Sequence, residues 1–265
     1  MAGDLRTLLA DLKAESDDLD HVVASGGPDA PATPTPAVGW SVGDTIGHLW
    51  FFDRQGRRAL DNPEAFARDR DAVLADPQRF MADHLRQIRR LGESLLFAWR
   101  EERRLLIDTL EAADPSTRAP WYGPSMSPMS FATARLMETW AHGQDVADAL
   151  GVHRPPTDRI RHVAYLGVLT RGFSYEIHGR TAPDTPVHVA LTLPSGQPWT
   201  SGDPSATDRI EGPALDFCLL VTQRRLADDL ALRMTGEAAV EWMSLAQVFA
   251  GPPSFTDRSR KGLGR

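Results

Sequence analysis

The sequence predicts an α+β protein in which an N-terminal four-helix bundle precedes a small α/β domain. Apolar residues recur at helical spacing through the first 150 residues. Gly151 and the adjacent Pro155 and Pro156 then end that pattern, and apolar residues alternate over 187–193 as they do in a strand. We therefore expect two domains and a disordered tail, at 1–153, 154–254 and 255–265 respectively.

Composition excludes several functional classes. The chain has 265 residues, of which 42% are hydrophobic, and its net charge of −7 provides no basic field for nucleic acid. No segment approaches the roughly 20 apolar residues that cross a bilayer. The N-terminus lacks the cleavage site of a secretory signal. We expect a cytoplasmic protein that binds neither nucleic acid nor membrane.

The first two predicted helices have clear start and stop signals. Apolar residues at i, i+3, i+4 and i+7 define the first helix from Leu5, and Gly26 ends it. The proline-rich segment that follows cannot be helical and is predicted to be a loop. Ser41 and Asp44 have the spacing of a capping box, which predicts the start of the second helix.

Two further helices complete the predicted bundle. After a charged loop, the apolar pattern over 84–110 predicts one long third helix. Ser130 can cap a fourth helix that runs to Leu150, because Gly151 occupies the favoured position just past a helix end. Metal ligands in such bundles project inward from facing helices.

The second domain is predicted from a change of period. Val187, Val189, Leu191 and Leu193 alternate with other residues, which predicts a strand, and a turn after it leads into a partner strand around Trp199. The remaining predicted elements are helices at 157–178, 213–226 and 237–249 and a strand at 230–234.

Three residues attract attention as possible ligands. Glu138 and His142 lie four residues apart on the fourth helix, so both side chains leave one face and can meet one ion. Glu and His at this spacing also form ordinary surface pairs, and for such a pair taken in isolation the surface pair is the more common interpretation. His48 stands among apolar residues of the second helix, where a histidine needs either a buried hydrogen-bond partner or a metal.

Two segments carry a family resemblance. GWSVGDTIGHL at 39–49 and ARLMETWAHGQDVADALG at 134–151 resemble the DinB-like superfamily of the mycothiol-dependent maleylpyruvate isomerases, and 210–253 looks like its small α/β domain. The chain is closer still to an actinobacterial subgroup whose activity is not established. In the family, one histidine of the second helix and an E-x-x-x-H pair of the fourth carry a metal. The resemblance implies that role for His48, Glu138 and His142.

This ligand set is chemically consistent with the resemblance. Two neutral imidazoles and one carboxylate give three protein ligands and leave positions open for water or substrate. Zinc is the first candidate for the metal, and non-haem iron uses the same ligands. Asp145, one turn after His142, can orient that imidazole, although an exposed helical aspartate is an equally good interpretation.

Thiol chemistry would need sulfur from outside the chain. The single cysteine, Cys218, lies in an apolar segment typical of inert core filling. The resemblance therefore implies a mycothiol-like thiol that the metal binds as thiolate, for S-transfer to, or isomerisation of, a small electrophilic substrate. Arg224 can anchor an anionic group, or it is a surface arginine at a helix end. Gln223 stands where the family often has glycine, which weakens the transfer of a detailed substrate site.

Two other functions use the same residues. A hydrolase would employ the three ligands to activate water, and independence from thiol would distinguish it. A non-catalytic module would hold a hydrophobic or acyl ligand in the second domain. The presence of all three ligand residues argues against this last hypothesis.

Overall fold

The computed structural model of the chain describes residues 4–251, apart from the side chains at 77, 78, 81 and 82. The chain divides into two compact units, Met1–Arg154 and Pro155–Arg265. The division differs by one residue from the predicted boundary after 153, and the tail predicted at 255–265 lies outside the described residues. The predicted α+β class is confirmed, because helices fill the first unit and the second contains a four-stranded sheet.

The regular elements among the described residues of the first unit are helices, joined by loops. Its helices are α1 Leu5–Ser25, α2 Val42–Asp61, α3 Pro63–Ala75, α4 Pro77–Leu91, α5 Leu95–Ala112 and α6 Pro128–Leu150. The long helices form the bundle: α1 packs along α6, and α2 packs against α5 and α6. The helices α3 and α4 pack against α2. None of the helices described is long and apolar enough to cross a membrane.

The bundle is held together by the apolar stripes of its helices. Leu19 of α1, Leu49 of α2, Trp99 of α5 and Val146 of α6 are buried in one hydrophobic cluster. Full burial of a large apolar side chain contributes about 1.5–3 kcal/mol to folding. The stripes therefore fix which faces of α2 and α6 point toward each other.

The start of α2 confirms the predicted capping box. The Asp44 backbone N–H donates to the Ser41 hydroxyl at 3.1 Å, and the Ser41 backbone N–H donates to the Asp44 carboxylate at 3.1 Å. Arg89 of α4 also donates to Asp44, at 3.2 Å. Burial raises the pKa of Asp44, but the hydrogen bonds from Arg89 and Ser41 outweigh it and hold that pKa below 3.8. The same carboxylate thus caps α2 and ties α4 to it.

The region between the second and fourth predicted helices differs from the prediction. The prediction of a charged loop is wrong: α3 begins after Asn62 and α4 after Asp76, and each of these residues caps its helix just before a proline. The prediction of a single long third helix is also wrong. The chain breaks at Gly92, which adopts φ 50, although the apolar pattern continues across the break.

The fourth predicted helix starts earlier than expected. Ser127, not Ser130, is the N-cap of α6, because its hydroxyl accepts from the Ser130 backbone N–H at 3.2 Å. Pro128 takes the first helical position, where its missing N–H costs nothing. At the other end Gly151 adopts φ 63 and ends the helix as predicted.

The second unit is built around a mixed sheet. Its elements are α7 Arg161–Leu169, α8 Arg171–Glu176, β1 Val187–Thr192, β2 Pro198–Ser201, β3 Asp208–Pro213, α9 Ala214–Val221, β4 Arg233–Thr235 and α10 Glu237–Leu245. The strand order is β2-β1-β3-β4. β1 pairs in parallel with β3, where Val189 lies opposite Ile210, and the other two pairings are antiparallel.

Several boundaries in this unit differ from the predicted ones. The helix predicted at 157–178 is divided into a 3-10 turn, α7 and α8, and the chain leaves helical geometry at Thr170. The helix predicted at 213–226 ends at Val221, because Gln223 adopts φ 58 and cannot continue it. The strand β3 was not predicted, since its charged residues conceal the alternation of Asp208 and Ile210 toward the interior.

Candidate metal centre

Three side chains from α2 and α6 converge inside the first unit. His48, Glu138 and His142 each offer one ligand atom, and these atoms lie within 4.8 Å of one another. Nε2 of His142 is 3.3 Å from Oε2 of Glu138. The ring centroids of His48 and His142 are 4.9 Å apart. The structure therefore brings together the three residues that the sequence indicated as ligands.

Asp145 supports one of these side chains. Its Oδ2 lies 3.2 Å from Nδ1 of His142, and its side chain is 1% exposed. An ionised carboxylate can only accept, so Nδ1–H of the imidazole donates, and the ring turns Nε2 toward Glu138. Asp145 is thus a buried partner of His142 and not an exposed helical aspartate.

The charge states of the cluster suit a cation. Burial raises the pKa of Glu138, but the hydrogen bond from His142 and the nearby charges outweigh it and lower the pKa to about 2. Burial, reinforced by the neighbouring His142, holds the pKa of His48 well below 6.5. At neutral pH the cluster therefore presents an ionised carboxylate and a neutral His48 imidazole, the forms that bind metals.

A buried ion network lies beside the cluster. The Asp53 carboxylate accepts from Nε of Arg103 and from Nε of Arg135, each at 2.8 Å, and it is fully buried. Arg103 also donates to the hydroxyl of Thr139 at 2.9 Å. The positive charge of Arg135 is one of the influences that lower the pKa of Glu138. The sequence alone does not indicate this network, although Arg135 stands one helical turn before Glu138.

Aromatic rings enclose the two histidines. Trp40, at the end of the proline-rich loop, is nearly parallel to His142, with centroids 6.2 Å apart. Trp40 also lies 5.1 Å from His48, and Phe52 lies 4.6 Å from His48. These rings give the cluster a largely apolar surround, in which electrostatic attraction to a cation is stronger than in water.

His84 of α4 is a further histidine next to the cluster. It is 1% exposed, and neither of its ring nitrogens has a hydrogen-bond partner among the described residues. Its centroid lies 5.7 Å from that of His48 and 4.4 Å from that of Phe51. Burial lowers the pKa of His84 to about 4. In the sequence His84 belongs to an apolar helical stripe, and a histidine in an otherwise apolar position is the signal that indicates it.

The remaining predicted site residues lie in the second unit. Arg224 follows α9, and its Nη1 donates to the Thr222 carbonyl at 2.6 Å. Gln223, just before it, is buried and donates through Nε2 to the Ala246 carbonyl at 3.1 Å. Cys218 is fully buried, and burial raises the pKa of its thiol well above the ordinary value. A thiol in that state is a poor nucleophile.

The fold places the chain among DinB-like helical bundles that carry a small C-terminal α/β unit. More specifically, the family model of the mycothiol maleylpyruvate isomerase N-terminal domain matches residues 12–147. The match covers most of α1 to α6 and includes His48, Glu138 and His142. The chain belongs to this family.

Relatives and solved structures agree with this assignment. Two uncharacterized proteins from two strains of Mycobacterium tuberculosis are each 46% identical over 246 residues, which is 92% of this chain and 96% of theirs. A crystal structure of a mycothiol-dependent maleylpyruvate isomerase has a TM-score of 0.55 at 13% identity, covering 84% of this chain and 90% of that one. A histidine-to-alanine mutant of such an isomerase has a TM-score of 0.58 at 11% identity, covering 87% and 93%. At these identities the likeness shows the fold alone.

Proposed function

We propose that the chain is a divalent-metal-dependent enzyme that uses a small thiol such as mycothiol for S-transfer to, or isomerisation of, a small electrophilic substrate. The observation that carries this proposal is the convergence of His48, Glu138 and His142, with ligand atoms within 4.8 Å of one another. Membership of a family named for a mycothiol isomerase supports the choice of thiol.

The residues present fit a divalent metal. Two imidazoles and one carboxylate match the donors that zinc prefers, and non-haem iron is the second candidate on the same set. Three protein donors correspond to a reactive site, since a structural zinc site has four. Asp145 holds the His142 ring in the orientation that such a ligand requires.

The chain itself supplies no sulfur for the reaction. Cys218 is its single cysteine, and that side chain is buried. A bound divalent cation would supply the positive charge that favours deprotonation of a coordinated thiol at neutral pH. The protein's part is to hold Glu138 ionised and to exclude water with Trp40 and Phe52.

Arg224 remains a proposed anchor for an anionic group of the thiol or the substrate. Its backbone position is fixed by the end of α9, and the hydrogen bond to Thr222 holds its side chain locally. Arginine suits this task because its planar guanidinium pairs with carboxylates in a bidentate manner.

The test is a calorimetric titration of mycothiol into zinc-loaded protein. We expect binding by the wild type and a joint loss of zinc and thiol binding in His142→Ala, because the thiol depends on the cation. His21→Ala, which removes an exposed histidine of α1, is the matched control and should bind both normally. Unchanged thiol affinity in metal-free His142→Ala would contradict the proposal. The hydrolase hypothesis, with metal-activated water, would then be the stronger one.

A further inference from the structure

We propose that His84 is a positioning residue of the metal centre, and that its imidazole accepts a hydrogen bond from the ring nitrogen of His48 that does not bind metal. In this arrangement His84 serves His48 as Asp145 serves His142. The inference rests on the proposed metal site and adds a residue to it. His84 itself would make no bond to the metal.

The first support is a set of unpaired buried nitrogens. Nδ1 of His48 and both ring nitrogens of His84 are buried and lack a hydrogen-bond partner among the side chains that the structure describes. Leaving one buried polar atom unpaired costs about 1–3 kcal/mol, so native proteins seldom keep several together without a use. Here the unpaired atoms belong to two neighbouring rings.

Distance permits the proposed bond. The two ring centroids are 5.7 Å apart and the planes meet at 80°. Two imidazoles joined by an N–H···N bond of about 2.9 Å have centroids roughly 5 Å apart. The observed separation is therefore within about 1 Å of that of a bonded pair.

The packing of α4 on α2 directs His84 to this position. A Cβ at Gly47 would lie 2.1 Å from Cγ2 of Ile88, so only glycine at 47 permits this approach of the two helices. Ile88 is one turn after His84 and shares its face. The ion pair of Arg89 with Asp44 fastens the same two helices. These contacts place His84 beside His48, which directly follows Gly47.

The surroundings of His84 are aromatic, so a polar side chain at this position is costly and indicates a functional role. Its ring contacts are the aromatic side chains of Phe51, Phe52 and Phe80, together with His48. An apolar side chain would fill this space without the cost of burying two polar atoms. Ligand histidines almost always donate their second N–H to an acceptor, and His142 has one in Asp145. His84 is the corresponding candidate for His48.

The experiment compares His84→Phe, His84→Gln and the control Tyr122→Phe, which removes a polar atom from the adjoining aromatic cluster without touching His84. Zinc affinity is measured by competition with a chromophoric chelator, and the His48 ring N–H is followed by nitrogen-edited NMR.

We expect His84→Phe to weaken zinc binding about 10- to 100-fold. His84→Gln should recover part of the loss, because its amide oxygen accepts a hydrogen bond. Tyr122→Phe should bind as the wild type does.

A second measurement distinguishes the proposed role from a purely structural one. If His84 positions His48, the urea stability of metal-free His84→Phe should equal or exceed that of the wild type, while the protected His48 N–H signal of the zinc form disappears. Wild-type zinc affinity in His84→Phe would overturn this inference and leave the metal site standing. Complete loss of zinc, as in His48→Ala, would also overturn it, because His84 would then be a ligand. If the wild type itself takes up no zinc, the proposed function and this inference both fail.

Discussion

His142 lies between two carboxylates: its Nδ1 is 3.2 Å from Asp145 and its Nε2 is 3.3 Å from Glu138. A neutral imidazole has one N–H and one lone pair, so it can donate to only one of the two. In the metal-free cluster a protonated ring donates through Nε2 to Glu138 as well, and once that proton leaves, the donation to Asp145 leaves the lone pair of Nε2 on the side of Glu138. A cation bound there would meet the lone pair of His142 Nε2 and the ionised Glu138 carboxylate, which are the forms that bind metals. Asp145 therefore selects the tautomer of His142 that can bind a metal.

We predict that Asp145→Leu weakens zinc binding about 10- to 100-fold, although no ligand is removed. The reason is that the His142 ring loses the acceptor that fixes its tautomer. Chelator competition measures the effect. Asp148→Leu is the control, because Asp148 lies on the same helix and accepts from Gln144 at 2.9 Å, outside the cluster. Equal affinities in the two variants would show that Asp145 does not orient the ligand.

A second prediction concerns the buried network around Asp53. Asp53→Asn should lower the free energy of unfolding by about 3–5 kcal/mol, because two buried guanidinium groups lose their counter-charge. The partly exposed pair of Asp20 and Arg100 is the comparison, and Asp20→Asn should cost less than about 1 kcal/mol. Urea unfolding measures both. Similar costs would mean that burial does not strengthen the Asp53 pairs.

A third prediction is a pH dependence at the start of α2. The folded-state pKa of Asp44 lies below its ordinary 3.8, so ionised Asp44 stabilises the folded chain. This contribution is fully present above the unfolded pKa and disappears as the pH falls through the folded one. Wild type should therefore exceed Asp44→Asn in stability by a constant amount from about pH 5 to 8, and the gap should narrow below about pH 4.

Chemical denaturation of both proteins across this pH range measures the gap. Glu93→Gln, which changes an exposed carboxylate in the 3-10 turn after α4, is the control for the loss of one surface charge. A gap that widens on acidification would have the wrong sign for a stabilising carboxylate and would contradict the assignment.

The fourth prediction concerns Gln223, which adopts φ 58, a left-handed backbone conformation that favours glycine. A non-glycine residue in this conformation costs about 1–2 kcal/mol. The amide side chain offsets that strain by donating to the Ala246 carbonyl at 3.1 Å and to Gln247 at 3.2 Å. Gln223→Ala loses these bonds and keeps the strain, whereas Gln223→Gly loses the bonds and relieves it.

We therefore expect thermal unfolding to rank Gln223→Gly above Gln223→Ala by about 1 kcal/mol, with both below the wild type. Equal stability of the two variants would mean that the left-handed backbone carries no measurable strain.

The parts of the fold that sequence predicted are those with local signals. Ser41 and Asp44 fixed the start of α2, and Gly151 fixed the end of α6, because caps act within one turn. The start of α3 has an equally local signal, since Asn62 precedes a proline and caps the helix. The break at Gly92 could not be read from apolar spacing, which continues through it.

In the candidate site, too, the sequence predicts what local spacing determines and does not predict tertiary contacts. The spacing of Glu138 and His142 predicts a shared face, because both lie on one helix. The position of His84 beside His48 depends on how closely α4 approaches α2, which is a tertiary contact between Gly47 and Ile88. The network around Asp53 likewise joins three helices. Single-sequence patterns do not encode such contacts, so these residues required the structure.

The most direct test of the account is the metal content of the protein purified without chelators, measured by inductively coupled plasma mass spectrometry. We expect about one equivalent of divalent metal per chain, zinc first, because two imidazoles and a carboxylate meet within one site. His48→Ala and Glu138→Ala should retain almost none, whereas His21→Ala should retain the full equivalent. A wild-type protein that stays metal-free after incubation with zinc, or a Glu138→Ala protein that keeps its metal, would contradict the central claim.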